Sequence, residues 1–126
     1  MKPEDLTVFI VDDDESILRS SRRLLRSGGY TRVATFTSAE DFLRDAVLEH
    51  PCLLILDLLL PEMDGITLYR RLQAADHAVD TVFISALERE LERVRREFPE
   101  AIAFLQKPFN KGALLAAVRS ALGADT

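Results

Sequence analysis

Residues 52 to 60 read Cys52-Leu53-Leu54-Ile55-Leu56-Asp57-Leu58-Leu59-Leu60, apolar at every position but one. The run is short and is stopped by Pro61 and the Asp64-Gly65 pair, so it predicts a strand buried on both faces, Leu53 to Leu56. Strands of this kind occupy parallel sheets whose two faces are covered by helices. Asp57 ends the strand, where an uncompensated carboxylate in dry surroundings costs several kcal/mol. A turn role competes for this residue, but Pro61, Asp64 and Gly65 already make the turn, which points instead to a charged partner for Asp57.

Four more apolar runs of strand length flank this one: Leu6 to Val11, Arg32 to Phe36, Thr81 to Ile84 and Ala101 to Leu105. They alternate with amphipathic stretches of helix length, the signature of βα units around a parallel sheet with the third strand most central. Ile17, Ser21, Leu24 and Leu25 repeat at helical spacing after Glu15, and Gly28-Gly29 ends that helix. Ser38-Ala39-Glu40-Asp41 opens a second as a cap, and Asp64-Gly65 precedes a third. The fifth follows Pro108-Phe109-Asn110, with Leu114, Leu115, Val118 and Leu122 on its inner side. The fourth, Leu87 to Phe98, wraps one narrow stripe (Leu87, Leu91, Val94, Phe98) in Glu and Arg, the pattern of a solvated helix. The expectation is one α/β domain over residues 1–126, with Gly123 to Thr126 a short polar tail and no output domain.

A chain of 126 residues, 48% hydrophobic and 29% charged, suits one ordinary globular core. Sixteen Lys and Arg against 21 Asp and Glu leave a net charge of −5, which lacks the basic footprint of a nucleic-acid-binding domain. No apolar run approaches the roughly 18 to 20 residues of a membrane span, and Met1-Lys2-Pro3-Glu4-Asp5 does not open like a signal peptide. The expected location is cytoplasmic, with neither nucleic acid nor membrane as a direct partner. The lone Cys52 reads as a small buried hydrophobe.

In an open parallel sheet, ligands bind beyond the carboxyl ends of the strands, and those positions are polar here. Asp12, Asp13 and Asp14 follow the first strand, Asp57 ends the third, Ser85 the fourth, and Lys107 the fifth. Carboxylates gathered from two strand ends suit Mg2+, a hard cation that takes oxygen ligands and keeps much of its water. Each residue also has a plainer role. Asp14 and Glu15 suit the positive end of a helix dipole, Ser85 suits a helix cap, and Lys107 suits a surface position before a turn proline. Lys107 nevertheless stands out in a chain with 13 Arg and three Lys, since a compact ammonium fits a point contact with a phosphoryl oxygen. The sequence has no P-loop, no dinucleotide glycine fingerprint, no zinc-spaced His and Cys, and no nucleophile elbow around a serine.

Taken in order, these residues resemble the receiver domain of two-component response regulators along essentially the whole chain. Val11-Asp12-Asp13 is similar to the family's acidic pair. Asp57 through Gly65 is similar to its phosphoacceptor loop, Ser85-Ala86 to its hydroxyl position, and Lys107-Pro108-Phe109 to its lysine turn. The resemblance implies a flavodoxin-like, doubly wound, five-stranded parallel sheet of order 2-1-3-4-5 with five helices. It implies that Asp57 accepts a phosphoryl group from a sensor histidine kinase or a phosphotransfer protein. Asp12, Asp13, Asp57 and the Leu59 backbone carbonyl would hold Mg2+, Lys107 and Ser85 would contact the phosphoryl group, and Phe104 would turn inward as the switch aromatic. The surface of helix 4, strand 5 and helix 5 would then act on a downstream protein target or on a fused effector domain missing here, with homodimerisation on phosphorylation a further expectation. Such a domain is not an enzyme beyond promoting its own phosphorylation and dephosphorylation.

Two departures from the family pattern stand out. Leu59 and Leu87 are apolar where many relatives place polar groups near the attacking water, and Pro99-Glu100-Ala101 replaces the glycine-containing turn common before the fifth strand. The alternative function is a receiver-shaped interaction module that works without phosphorylation. A third, an aspartyl-phosphate hydrolase, lacks its nucleophile motif, since Leu58 and Leu59 follow Asp57.

Overall fold

The computed structural model describes residues 1–123; residues 124–126 of the expected polar tail lie outside the described residues. After a short 3-10 turn at Pro3–Asp5, the chain alternates β1 (Thr7–Val11), α1 (Glu15–Ser27), β2 (Arg32–Phe36), α2 (Ala39–Asp45), β3 (Cys52–Asp57) and α3 (Gly65–Ala74). It continues through β4 (Asp80–Ser85), α4 (Glu88–Glu97), β5 (Ala103–Gln106) and α5 (Lys111–Ala121). All the strand pairs are parallel, in the order β2-β1-β3-β4-β5. The expected five-stranded, doubly wound architecture is therefore the one found.

Alternation along the strands builds two cores. Phe9, Val11, Leu54, Leu56 and Phe83 face α2, α3 and α4, while Val8, Ile10, Leu53, Ile55, Val82 and Ile84 face α1 and α5. Every residue of β3 is buried, as its composition requires of a central strand covered on both faces. Each of its leucines, so buried, contributes about 2 kcal/mol relative to exposure, which anchors the carboxylate at its end. β2, at one margin of the sheet, is only half-buried.

Four helices open with a side-chain cap just beyond a strand or loop. Asp14 accepts from Ser16 N at 2.9 Å, Ser38 from Asp41 N at 3.0 Å, Asp64 from Thr67 N at 2.9 Å and Asn110 from Ala113 N at 2.8 Å. α1 stops at Gly28-Gly29, where Gly29 takes φ +97°, a conformation that a Cβ disfavours.

α4 differs at both ends. Its N-cap residue Leu87 has no capping side chain of its own; its N–H instead donates to Ser85 Oγ at 3.1 Å. The other end is tied to α3. Tyr69 Oη and Gln73 Nε2 both donate to Glu100 Oε2, at 2.7 and 2.9 Å, and Arg70 pairs with Glu97 at 2.8 Å while covering the Phe98 ring. This corner explains why β5 begins at Ala103, two residues later than the apolar run suggested. Ala101 N bonds back to Phe98 O, and Glu100 is engaged by α3.

Candidate functional site

The winding of the sheet carries the polar strand ends to one edge. β1 lies beside β3 in a register that pairs Val11 with Leu56, so Asp12 and Asp57 each stand one residue beyond that pair on neighbouring strands. Asp57 pairs with Ile84 of β4, which puts Ser85 one residue further along. Ser85 pairs with Gln106, and Lys107 N donates to Ser85 O at 2.9 Å. The Lys107–Pro108 peptide bond is cis.

Asp12 is 0% and Asp57 4% exposed, a degree of burial that two carboxylates bear only with compensation. Lys107 reaches over both: its Nζ lies 2.7 Å from Asp12 Oδ2 and 3.3 Å from Asp57 Oδ2. Asp57 Oδ1 accepts from Leu59 N at 3.3 Å, and Asp12 Oδ1 accepts from Asp14 N at 2.9 Å. Asp13 is exposed, yet one oxygen each of Asp12, Asp13 and Asp57 fall within 4.8 Å of one another. That all-oxygen donor set, with Asp12 Oδ2 buried and lacking any directed hydrogen bond, fits a hard divalent cation.

Electrostatics agree with the geometry. Burial and the neighbouring Asp12 charge push Asp57 up to about 6, against the opposing pull of Lys107. For Lys107, burial works against the charged form, but the two carboxylates outweigh it and hold the ammonium protonated above its ordinary range. Asp14 is held below the usual carboxylate range by its bonds from Ser16, consistent with a capping role.

Of the residues singled out from sequence, Asp12, Asp13, Asp57 and Lys107 converge directly, and Leu59 meets Asp57 through its amide while its side chain faces solvent. Ser85 is fully buried beside Asp57's strand. Phe104 lies two positions before Gln106 on β5, half-buried between the Phe83 ring at 5.9 Å and the Arg95 guanidinium, whose Cζ stands 4.4 Å over its centroid.

Three contributors were not visible in the sequence. Gly65 reads there as a turn residue, but a Cβ on it would sit 2.3 Å from Asp57 O and 2.9 Å from Leu58 Cα, so the helix start abuts the backbone of the strand end. Glu40 Oε2 accepts from Met63 N at 3.3 Å and ties α2 to the loop after Asp57, in which Glu62 adopts φ 61°. Arg95 covers Phe104 and is itself held by Glu88 and Glu92.

A carboxylate cluster and a lysine gathered at the carboxyl edge of a doubly wound parallel sheet define a class of α/β domain. Residues 8–119 match the family model for the response regulator receiver domain. The chain is 37% identical over 122 residues to the response regulator protein TmoT of Ectopseudomonas mendocina, covering 97% of this chain and 55% of that protein. Among solved structures, response regulator StyR superposes with a TM-score of 0.78 at 38% identity, covering 98% of this chain and 60% of that one. FixJ-N superposes with a TM-score of 0.82 at 28% identity, covering 97% of each chain. The chain belongs to the response regulator receiver domain family of two-component systems. It spans about half the length of the curated relatives it matches, and no helix among the described residues is long and apolar enough to cross a membrane.

Proposed function

We propose that this domain is a phosphorylation-driven switch in which Asp57 accepts a phosphoryl group from the phosphohistidine of a sensor histidine kinase or phosphotransfer protein. The observation that carries this reading is the buried Asp57 carboxylate with Lys107 Nζ at 3.3 Å and two further aspartates within reach of a shared cation. One Asp57 oxygen attacks phosphorus in line with the histidine nitrogen; the P–O bond forms as the P–N bond breaks, and the leaving imidazole takes a proton. Such transfer is governed by positioning and charge neutralisation. Asp12, Asp13, Asp57 and the Leu59 backbone carbonyl would hold Mg2+, which when bound neutralises charge on the phosphoryl oxygens.

The chain's own residues do the rest. At neutral pH Asp57 is ionised and therefore nucleophilic, and Lys107 can turn from Asp12 toward a phosphoryl oxygen without leaving the site. Ser85 Oγ already accepts from Leu87 N, which leaves its hydroxyl hydrogen to donate to the phosphoryl group. Drawing Ser85 toward the site pulls on the start of α4 and opens space for Phe104, so the α4–β5–α5 surface changes and acts on a partner. The domain catalyses nothing beyond its own phosphorylation and dephosphorylation.

Intact-mass measurement after incubation with Mg2+ and acetyl phosphate tests this reading. Wild type is expected to gain one phosphoryl group and Asp57→Asn none. No gain in wild type would leave an interaction module that works without phosphorylation, and an equal gain in the variant would move the acceptor elsewhere.

A further inference from the structure

At the edge of the sheet opposite Asp57, the starts of β4 and β5 border a cavity of about 270 Å3 that the switch does not use. Asp80 opens β4 four residues before Ile84, the partner of Asp57, which places it about 13 Å away along the strand. Tyr69, Val79, Phe83 and Ala101 give the cavity apolar and aromatic walls, and Ile102, 61% exposed, adds an apolar lip.

The polar groups set into these walls are of one kind. Asp80 and Glu100 line the cavity, and no Lys, Arg or His does. Glu100 is held in place: Tyr69 Oη and Gln73 Nε2 donate to its Oε2, and these bonds keep its carboxyl below the ordinary range and so charged. Thr81 donates its hydroxyl hydrogen to Val79 O at 2.8 Å, which leaves Oγ1 as an acceptor. Both hydroxyl hydrogens and one amide hydrogen of Gln73 are therefore in use, and the lining offers chiefly acceptors. Two helices also end here. Gln73 belongs to the last turn of α3 and Ala121 closes α5, so the negative ends of both dipoles lie at the cavity, while Arg71 and Arg119 of the same turns do not line it.

We propose that this cavity binds a small organic ammonium ion, whose head meets the carboxylates of Asp80 and Glu100 while its apolar or aromatic body lies against Tyr69 and Phe83. An ammonium brings three donors and no acceptor, the complement of this lining, and aromatic walls suit a cation as well as an apolar body. A metal ion fits less well: among the described residues, the group of three acidic side chains close enough to share one is Asp12, Asp13 and Asp57, at the other edge. A lysine of a partner protein carries the same head, but its thin stem leaves most of the aromatic wall uncovered. The site is independent of whether Asp57 is phosphorylated.

The test is an amide NMR titration of the whole chain with benzylammonium, its neutral isostere benzyl alcohol, benzoate, and acetyl-lysine amide. Benzylammonium is expected to shift residues 69–73, 79–83 and 100–102 with a roughly millimolar Kd, as befits a fragment of its size. It should bind about tenfold more tightly than the alcohol or the lysine amide, and benzoate should leave these amides unmoved. Asp80→Asn should weaken binding about fivefold, and Ala78→Phe, which fills the cavity without changing its charge, should abolish it; wild-type amide positions far from the cavity show that each variant is folded. Equal binding of the alcohol, tighter binding of the lysine amide, shifts scattered over other surfaces, or unchanged affinity in either folded variant overturns the proposal.

Discussion

Lys107 Nζ lies closer to Asp12 Oδ2, at 2.7 Å, than to Asp57 Oδ2, at 3.3 Å, so one ammonium is shared unequally between two buried carboxylates. Removing it leaves both without a counter-charge. Lys107→Ala is expected to lower the unfolding free energy by about 3 to 5 kcal/mol in metal-free buffer, and excess Mg2+ should restore part of the loss. Urea unfolding with and without chelator measures both. An unchanged midpoint would show that water, not Lys107, carries the compensation.

Asp57 titrates near 6 in the folded chain because burial and Asp12 oppose its charge, against an ordinary 3.8. Between those values the folded state keeps a proton that the unfolded chain has released. The stability linked to that proton is full below about pH 4 and is lost as pH rises through 6. Asp57→Asn cannot ionise and escapes the loss, so in metal-free buffer it should gain on wild type from near zero at pH 4 to about 3 kcal/mol at pH 7. A gap that stays flat over this range would contradict the assignment.

Asp13 is the exposed member of the carboxylate cluster. Asp13→Ala should change metal-free stability by less than about 0.5 kcal/mol while abolishing the rise in Tm that Mg2+ gives wild type, along with phosphorylation by acetyl phosphate. If the Mg2+ response survives, Asp14 takes over as the ligand.

Gly65 leaves no room for a side chain beside Asp57 O. Gly65→Ala should cost about 3 kcal/mol, because the obstructing atoms are backbone and cannot swing away, and it should slow acceptance of phosphate by shifting the Asp57 peptide. Thermal unfolding and intact-mass kinetics report the two effects separately. A variant that is stable and labels normally would mean that the α3 start yields freely.

Removing Arg95 should loosen Phe104. The guanidinium stands 4.4 Å over the ring, a contact worth about 0.5 to 1 kcal/mol in the present arrangement. If beryllofluoride favours the inward ring, Arg95→Ala should bind it about two- to fivefold more tightly. Hydrogen exchange with beryllofluoride should also change over residues 86–122 in wild type. Changes confined to the loops at Asp12 and Asp57 would disconnect the site from that surface.

The site was legible in the sequence where one residue type at a strand end has no cheap explanation. Asp57 inside an otherwise apolar run is such a position, and Asp12 and Lys107 acquire meaning once the strand order sets them beside it. The central strand was legible for the same reason, since only full burial explains Cys52 to Leu56. What could not be read are contacts whose partners are far apart in the chain, or whose residue already has a local role. Gly65 sits in a turn that accounts for it, Glu40 reads as part of a cap, and Arg95 reads as one more charge on a solvated helix. The late start of β5 belongs with these, because Glu100 is held by Tyr69 from another helix.

α4 is fastened to its neighbours very differently at its two ends. Glu97 and Glu100 are held by three side chains of α3, whereas the Leu87 end is tied back to β4 through Ser85 Oγ. A rod clamped at one end and pulled at the other pivots like a lever. If Ser85 is drawn toward a phosphoryl group as proposed, a displacement too small to disturb the sheet would become a tilt whose amplitude grows from Phe98 at the clamped end toward Glu88 at the free one. In such a switch the first turn of α4 would be the pointer, and the Pro99 corner its fulcrum.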